Sequence, residues 1–439
     1  MNELSELPSH ETSPSPKPRI SVVIPTYNRS GFLRATLESL VAQSLPPDEF
    51  EVIVSDDGSS DDSADVVKSF TERLRIKYHF QEDLGFRAGA ARNAGARMAE
   101  APILAFLDTG ARPGAAFLRW HLRAHDEAGP QGRAVIGWMH GYPSMFNDEA
   151  DSRTMEGLSE ALDRLAPEDV VARFHDEPLF RDPRYAELEK LDFDLSRRSF
   201  PEELFWTANC SVRAADFRSV GGFDEGYRSW GMEDVDLGFR LARKGLEFHF
   251  CPDAWVVESQ HERDETGNFN NLIDNAVTFM VKYKFCVTAL EMVWLSMSNP
   301  QSKLGAAEAA NQIVVRWARA TRGVDVAEEI EQAFAAIPPG SRVAVFGCGA
   351  VIPTAVTVKV LADFDPEVVE KLRAEGHPDV RNNVGIHLAL RNRAVDFVII
   401  TSRLRGLWDQ FGRHIQVEAD RIGTRTLQLF PVQDRPDVE

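Results

Sequence analysis

From residue 19 onward, short runs of β-branched residues alternate with segments of helical periodicity, and this alternation leaves few folds open to the chain. Residues 22–24 and 52–54 predict two strands, and the apolar positions from Leu33 to Val41 predict a helix between them. Further strands are predicted near residues 76–80 and 103–107, and further helices near 64–70 and 88–99. Such alternation is typical of βαβ units. We therefore expect an α/β fold built on a mostly parallel sheet.

At 439 residues the chain is too long for one ordinary core, so more than one domain is expected. We predict a flexible tail over residues 1–18 and a first α/β domain over 19–299, interrupted by an inserted region at 140–203. A helical connection over 300–335 then leads to a smaller, Rossmann-like α/β domain over 336–439.

Composition excludes two classes of partner. The formal net charge of −19 repels phosphate backbones, so no nucleic acid is expected to bind. No apolar run approaches the ~20 residues needed to span a bilayer, and the first eighteen residues lack the basic start and apolar middle of a secretory signal. We expect no membrane span and a cytoplasmic location.

Polar residues follow three of the first four predicted strands. They occupy residues 25–29, 55–60 and 108–113. Taken singly, each group fits a helix cap or a tight turn. In an open parallel sheet, however, ligands bind outside the carboxyl ends of the strands. Three such loops at one edge predict a crevice in which carboxylates from separate strands converge.

Several motifs at these positions resemble known ones. Residues 21–29 (SVVIPTYNR), 54–61 (VSDDGSSD) and 85–95 (GFRAGAARNAG) are similar to family 2 glycosyltransferases of the GT-A fold. Further along, residues 209–213 (NCSVR), 220–224 (VGGFD) and 230–237 (WGMEDVDL) resemble acceptor-side motifs of galactosyltransferase-like and chondroitin-polymerase-like members. The resemblance covers residues 19–265. It implies transfer of a sugar from a nucleotide-sugar donor.

The resemblance also implies donor-binding residues. Pro25 and Tyr27 would line the nucleoside pocket, and Asp57 would accept a hydrogen bond from the base, which points to a UDP-sugar. Arg87 would approach the base or the phosphates, whose oxygens match its forked donors. Asp108 would face the diphosphate.

The metal motif of the family is altered in this chain. The resemblance implies an Asp-x-Asp motif that holds Mn²⁺ or Mg²⁺, but residues 108–110 read Asp-Thr-Gly. Two arrangements remain open. In one, Asp108 and His261 hold the metal ion; in the other, Arg112 supplies the positive charge itself.

Inverting sugar transfer needs a base for the acceptor hydroxyl. The resemblance implies that Asp234 is this base, that Glu233 binds an acceptor hydroxyl and that Trp230 offers an aromatic face to a sugar ring. We assign Asp236 only to the first turn of the helix, where acidic residues favour the helix dipole. The predicted reaction moves a hexose or N-acetylhexosamine to a glycan, a peptide or a small natural product.

A different class of function competes with this enzyme. Because Gly110 replaces the second acid, the chain could be a catalytically silent protein that binds a nucleotide sugar and recruits a partner. Glu233 and Asp234 argue against that alternative, since a binding module has no use for a base.

Other polar residues have less specific interpretations. Arg92 and Asn93 fit either the site or the exposed surface of their helix, and His121 and His125 are expected as a surface pair. In the second domain Gly347-Cys348-Gly349 resembles a dinucleotide or S-adenosylmethionine turn, but Ile352 stands where the third glycine belongs. This domain resembles part of a methyltransferase fold, and docking, acceptor recognition, a structural role and a second ligand site all remain open for it.

Overall fold

The computed structural model describes residues 17–142, 152–259, 265–283, 306–354 and 358–431. They form two compact units, the first within Met1–Arg197 and Pro201–Arg263 and the second within Arg198–Phe200 and Asp264–Glu439. Within those ranges no helix combines the length and the apolar character needed to cross a membrane.

The strands of the first unit include four that the sequence predicted and four that it did not. They are β1 (Ile20–Thr26), β2 (Phe50–Asp56), β3 (Ile76–Phe80), β4 (Ile103–Leu107), β5 (Ala111–Pro113), β6 (Arg133–His140), β7 (Asn209–Arg213) and β8 (Glu247–Glu258). The helices around them are α1 (Ser30–Val41), α2 (Ser63–Lys68), α3 (Ala88–Met98), α4 (Phe117–Asp126), α5 (Ser152–Arg164), α6 (Pro167–Phe174), α7 (Tyr185–Glu189), α8 (Ala214–Ser219) and α9 (Glu233–Arg243).

These strands form one eight-stranded sheet in the order β3-β2-β1-β4-β7-β6-β8-β5. β7 lies antiparallel between β4 and β6, and β5 is antiparallel to β8 at the edge. The remaining strands run in one direction, which confirms the predicted α/β fold with a mostly parallel sheet. Every residue of β2 and β4 is buried, as expected for strands covered on both faces.

Helix α3 lies very close to this sheet. A Cβ on Gly95 would come within 2.6 Å of both Val23 Cγ1 and Ser55 Oγ, so only glycine permits this approach. The close contact fixes the height of α3 above β1 and β2. It thereby fixes the position of the polar residues that the helix carries toward the carboxyl edge of the sheet.

The inserted region is tied to the sheet by a buried ion pair. Arg184 Nη2 and Asp182 Oδ2 lie 2.6 Å apart, and both side chains are fully buried. The pair also serves the backbone of β6, because Arg184 donates to the carbonyl of Gly137 and Asp182 accepts from the amide of Met139. These bonds satisfy polar groups at the point where the register of β6 against β8 is irregular.

The histidines of α4 are buried, which contradicts the expected surface pair. Asn209 donates its amide N–H groups to the carbonyls of Trp138 and Ala254, so its Oδ1 faces His121 Nε2 at 3.0 Å. His121 Nε2 must therefore carry the proton, and Nδ1 accepts from the Ser211 hydroxyl at 2.8 Å. Ser211 in turn lies 2.8 Å from His125 Nε2. Both imidazoles thus belong to a buried chain of hydrogen bonds between α4 and β7.

The second unit contains a separate parallel sheet. Its elements are α10 (Glu265–Lys282), α11 (Ala306–Thr321), α12 (Ala327–Ala335), β9 (Val343–Phe346), β10 (Val360–Asp363), α13 (Pro366–Ala374), β11 (Val380–Asn382), β12 (Phe397–Ile400), α14 (Trp408–Ile422) and β13 (Arg425–Gln428). The strand order is β11-β10-β9-β12-β13, and every pairing is parallel. The order reverses between β9 and β12, as in doubly wound folds.

We predict that the stability of the first unit falls as the solution is acidified below pH 6.5. Burial lowers the pKa of His121 to about 4 and that of His125 to about 3, whereas an unfolded histidine titrates near 6.5. Between pH 6.5 and about 4 these two histidines therefore bind protons in the unfolded chain but not in the folded chain. Each histidine contributes a loss of about 1.4 kcal/mol in unfolding free energy per pH unit in this window.

Denaturation of the full chain followed at pH 7.5, 6.5 and 5.5 measures this dependence. The variant His121→Gln/His125→Gln should show a shallower dependence, whereas His175→Gln, at an exposed position, serves as the control. An unchanged slope in the double variant would mean that other groups cause the acid sensitivity.

Candidate active site

The two aspartates that follow β2 have different surroundings. Asp56 is fully buried and accepts hydrogen bonds from the amides of Gly58 and Ser59 and from the Tyr78 hydroxyl. It holds the turn together. Asp57 accepts instead from Gln81 Nε2 at 2.5 Å and from the amide of Arg87 at 2.7 Å. Burial raises the pKa of Asp57, although these two hydrogen bonds oppose the effect.

The predicted donor-binding residues lie around this turn. The Tyr27 ring is 46% exposed, and its hydroxyl donates to Asp83 at 2.9 Å. Arg87 Nε lies 3.6 Å from Asp57 Oδ1. The carbonyl of Pro25 accepts from the Thr109 hydroxyl at 2.8 Å, which links the end of β1 to the loop after β4. An exposed aromatic ring, a carboxylate and a guanidinium are thus grouped at one end of the sheet.

The acceptor-side motif forms a sharp turn into α9. Gly231 has φ of 98° and Met232 has φ of 74°, so two consecutive residues adopt left-handed backbone conformations. Met232 is nonetheless buried, and this conformation is unfavourable for a residue with a long side chain. The turn places Trp230 before the helix and Glu233 and Asp234 in its first turn. Strained backbone of this kind recurs at functional sites.

Arg92 connects the donor side of the site to the acceptor side. Its Nη2 lies 2.8 Å from Asp108 Oδ1, and its Nη1 lies 3.1 Å from Glu233 Oε1. The Arg92 side chain is 5% exposed, so it does not lie on the exposed surface of its helix.

The neighbouring Asn93 is buried as well. It clamps the backbone of Phe223 by donating to the carbonyl and accepting from the amide, both at 2.9 Å. The guanidinium carbon of Arg92 in turn lies over the Phe223 ring, 5.5 Å from the ring centroid. Arg92 and Asn93 of this motif therefore make buried contacts, whereas Gly85 and Phe86 at its start are exposed.

The carboxylates of Glu233 and Asp234 have different surroundings. Burial and the adjacent Glu233 charge raise the pKa of Asp234 to about 7, while Arg92 opposes that rise. Glu233 is nine-tenths buried, and its Oε2 makes no hydrogen bond to any described residue. One oxygen is thus held by Arg92, and the other is buried with its capacity to accept a hydrogen bond unused among the described residues. A carboxylate that titrates near neutral pH is suited to receive a proton.

The residues around Gly110 fit the metal site of the family only in part. Gly110 has φ of 106°, and a Cβ there would lie 4.0 Å from Glu258 Oε1. Glu258, at the end of β8, therefore brings a buried carboxylate next to the position of the missing acid. His261 lies outside the described residues. Over the described ranges, no group of three or more His, Cys, Asp or Glu side chains is placed to hold a metal ion.

The alternative cation, Arg112, is engaged elsewhere. It donates to the carbonyls of Leu162 and Leu165 at the carboxyl end of α5, at 2.5 and 2.9 Å. These bonds use the forked donors that a diphosphate would need. The guanidinium therefore stabilises the inserted helix.

The glycine turn of the second unit is filled by protein. Arg403 and Asp363, both fully buried, are ion-paired with Nε and Oδ2 3.0 Å apart, and Asp363 also accepts from the amide of Gly349. A Cβ on Gly349 would lie 3.0 Å from Val326 Cγ2. In the described part of this turn, side chains thus occupy the place where dinucleotide folds hold a phosphate.

Comparison with known protein families agrees with this geometry. Residues 21–136 match the model for glycosyl transferase family 2, and residues 189–262 match the model for the N-terminal domain of galactosyltransferase. The first match includes the donor-side loops, and the second includes the turn into α9.

Individual relatives extend the likeness over the whole chain. A validoxylamine A glucosyltransferase from Streptomyces hygroscopicus subsp. limoneus is 40% identical over 422 residues, which are 94% of this chain and 90% of the relative. A chondroitin synthase from Escherichia coli is 31% identical over 241 residues, 55% of this chain and 34% of that protein. The crystal structure of S. aureus TarS matches with a TM-score of 0.43 and 18% identity over 64% of this chain and 43% of that one. The 40% identity over 90% of the first of these relatives shows that the chain belongs to glycosyltransferase family 2 and is a glycosyltransferase, as its motifs predicted.

We predict that restoring an acid at position 110 destabilises the protein instead of building a metal site. Gly110→Asp imposes a left-handed backbone on a substituted residue and places its charge beside Glu258, whereas Gly110→Ala has only the backbone effect. The alanine variant should lose about 1–3 kcal/mol of unfolding free energy, and the aspartate variant should lose more. Thermal unfolding and Mn²⁺ titration of both variants measure this. A gain in Mn²⁺ affinity in Gly110→Asp would contradict the prediction.

Proposed function

We propose that this enzyme transfers a hexose from a UDP-sugar to an acceptor hydroxyl with inversion at the anomeric carbon, and that Asp234 is the general base. The observation that supports it most is the single cluster formed by Asp108, Arg92, Glu233 and Asp234. The cluster joins the loop after β4 to the first turn of α9.

The donor half of the proposal rests on the turn after β2. The Asp57 carboxylate is an acceptor of the kind that the imide N–H of uracil requires, and Tyr27 provides an exposed ring for the nucleoside. Gln81 and the Arg87 amide hold this carboxylate in place. We assign Pro25, Tyr27, Asp57 and Arg87 to the nucleoside diphosphate and Asp108 to the diphosphate end.

The proposed step is a direct displacement. The acceptor oxygen forms a bond to the anomeric carbon as the bond from that carbon to the diphosphate oxygen breaks, and UDP leaves with the electron pair. The acceptor proton passes to the Asp234 carboxylate, while the unpaired oxygen of Glu233 accepts a second hydroxyl of the acceptor. The proposed step involves the side chains alone, and Asp108 and His261 are the residues that would hold an Mn²⁺ or Mg²⁺ ion. A bound ion would supply charge to the leaving diphosphate, with Asp108 as its ligand.

The relatives that match over nearly the whole chain narrow the substrates. Two of them, at 40% and 39% identity, are validoxylamine A glucosyltransferases from Streptomyces hygroscopicus. We therefore propose glucose as the sugar and a small polyhydroxylated molecule as the acceptor. The glycan synthases match over only about half of this chain, which makes a polymer acceptor the weaker choice.

The alternative of a catalytically silent binding protein rested on Gly110, and the glycosyltransferases that match over nearly the whole chain argue against it. Such a protein would gain nothing from a carboxylate whose pKa is raised to about 7 beside an unpaired, nine-tenths buried glutamate oxygen. Groups of this kind destabilise a fold unless they act on a ligand.

We expect Asp234→Asn to lower turnover on the order of 10²–10⁴-fold, because the amide is isosteric but cannot accept the proton. Binding of UDP should change little. Turnover with UDP-glucose and a polyhydroxylated acceptor measures the effect, and NMR of the product reports the anomeric configuration. Asp253→Asn, an exposed aspartate on β8, is the matched control. Near-normal turnover in Asp234→Asn would remove this residue as the base.

We expect purified protein to bind UDP and UDP-glucose, and Asp57→Asn to weaken both, because the neutral amide loses a charge-assisted hydrogen bond that contributes about 1.5–3 kcal/mol. Calorimetric titration with Mn²⁺ and again with a chelator measures these affinities. Binding that requires Mn²⁺ would support Asp108 with His261 as the metal site, and equal binding in chelator would support metal-free donor binding. No binding of any uridine nucleotide would refute the donor assignment.

A further inference from the structure

The guanidinium of Arg92 is the only described cation that hydrogen-bonds both Asp108 and Glu233. These partners lie on different elements, the loop after β4 and the first turn of α9, at distances of 2.8 and 3.1 Å. Arg92 is part of α3, and Gly95 allows this helix to lie close to the sheet. The forked geometry of arginine suits it to join two separate carboxylates, which a lysine ammonium does less well.

Few other charges approach this cluster. Asp234 adjoins Glu233 on α9, and Cys210 of β7 is a buried neutral thiol, since burial raises its pKa. Further along α9, Asp236 is paired with Arg240 at 2.6 Å. Glu202 and Glu203 precede Phe205 and pack against α9 near Gly238, one turn beyond the site.

We infer that Arg92 is a positioning residue that holds the donor-side and acceptor-side carboxylates in register and keeps Asp234 able to accept the acceptor proton. This rests on the proposed role of Asp234 as base. Without the guanidinium, Asp108, Glu233 and Asp234 would face one another with no opposing charge. Glu233 would lose the contact that fixes its orientation, and the proton affinity of Asp234 would rise.

The two parts of this role can be separated by substitution. Arg92→Gln removes both the charge and the bridge, so the acid limb of kcat/KM should move to higher pH by about 1 unit or more. Arg92→Lys keeps the charge but cannot bridge both carboxylates, so the limb should stay near its original position while kcat falls. Arg97→Gln removes an exposed arginine one turn further along α3 and should change neither quantity.

A double variant tests the direction in which the acid limb of kcat/KM moves. Glu233→Gln removes the charge that raises the pKa of Asp234, so the combination Arg92→Gln/Glu233→Gln should bring the acid limb back toward that of the unmodified enzyme. UDP titration and thermal unfolding of each variant show whether it is folded.

Two readouts distinguish this inference from the proposed function. One is the acid limb of kcat/KM, and the other is the titration of Asp234 followed by ¹³C NMR of aspartate-labelled protein, with the resonance assigned through Asp234→Asn. If Arg92→Gln moves both, the positioning role is supported. If it moves the NMR titration but leaves the limb unchanged, Asp234 is not the base, and Arg92 still sets its pKa. If folded Arg92→Gln moves neither, the positioning role is refuted.

Discussion

The antiparallel insertion of β7 beside β4 is the constraint on which the site depends. Because the two strands run in opposite directions, the carboxyl end of β4 lies beside the amino end of β7, with Leu107 opposite Asn209. Asn209 then joins three elements at once, through the carbonyls of Trp138 and Ala254 and the ring of His121. The antiparallel direction places the start of β7 beside Asp108, whose amide donates to the carbonyl of Ala208. β7 then runs to the opposite edge of the sheet, and the chain comes back toward Asp108 only after α8, where Glu233 in the first turn of α9 meets Arg92.

Arg92 is stable in its buried position only because the surrounding charges compensate it. A buried guanidinium is costly without partners, and buried carboxylates without a cation are equally so. The cluster holds one guanidinium among Asp108, Glu233 and Asp234, and the raised pKa of Asp234 reduces the excess negative charge near neutral pH. The carboxylate that relieves the excess charge is therefore the one that we propose as the general base.

Sequence patterns predicted the parallel half of the sheet well and the other half poorly. The bounds of β3 and β4 agree with those expected, because both strands are flanked by polar turns and helical segments. The strands β5 to β8 gave no comparable signal. β8, for example, contains Pro252 and meets an irregular register, and the pairings of these strands join segments that are distant in sequence. Hydrophobic periodicity indicates local structure and gives no information on which strands pair.

The same limit applies to the site. The motif residues were found from the sequence, whereas the role of Arg92 depends on Glu233, 141 positions away, and that of Glu258 depends on its register with Ala111. The small residues around Arg92 could have indicated its burial, since Gly89, Ala91, Ala94, Gly95 and Ala96 are all buried in α3. In the second unit the glycine turn is present although Arg403 is paired with Asp363, the last residue of β10, whose counterpart in dinucleotide folds faces a ribose. A glycine fingerprint thus records how closely backbone elements approach. In the described part of this turn, Asp363 accepts from the Gly349 amide and Val326 packs against the Gly349 backbone.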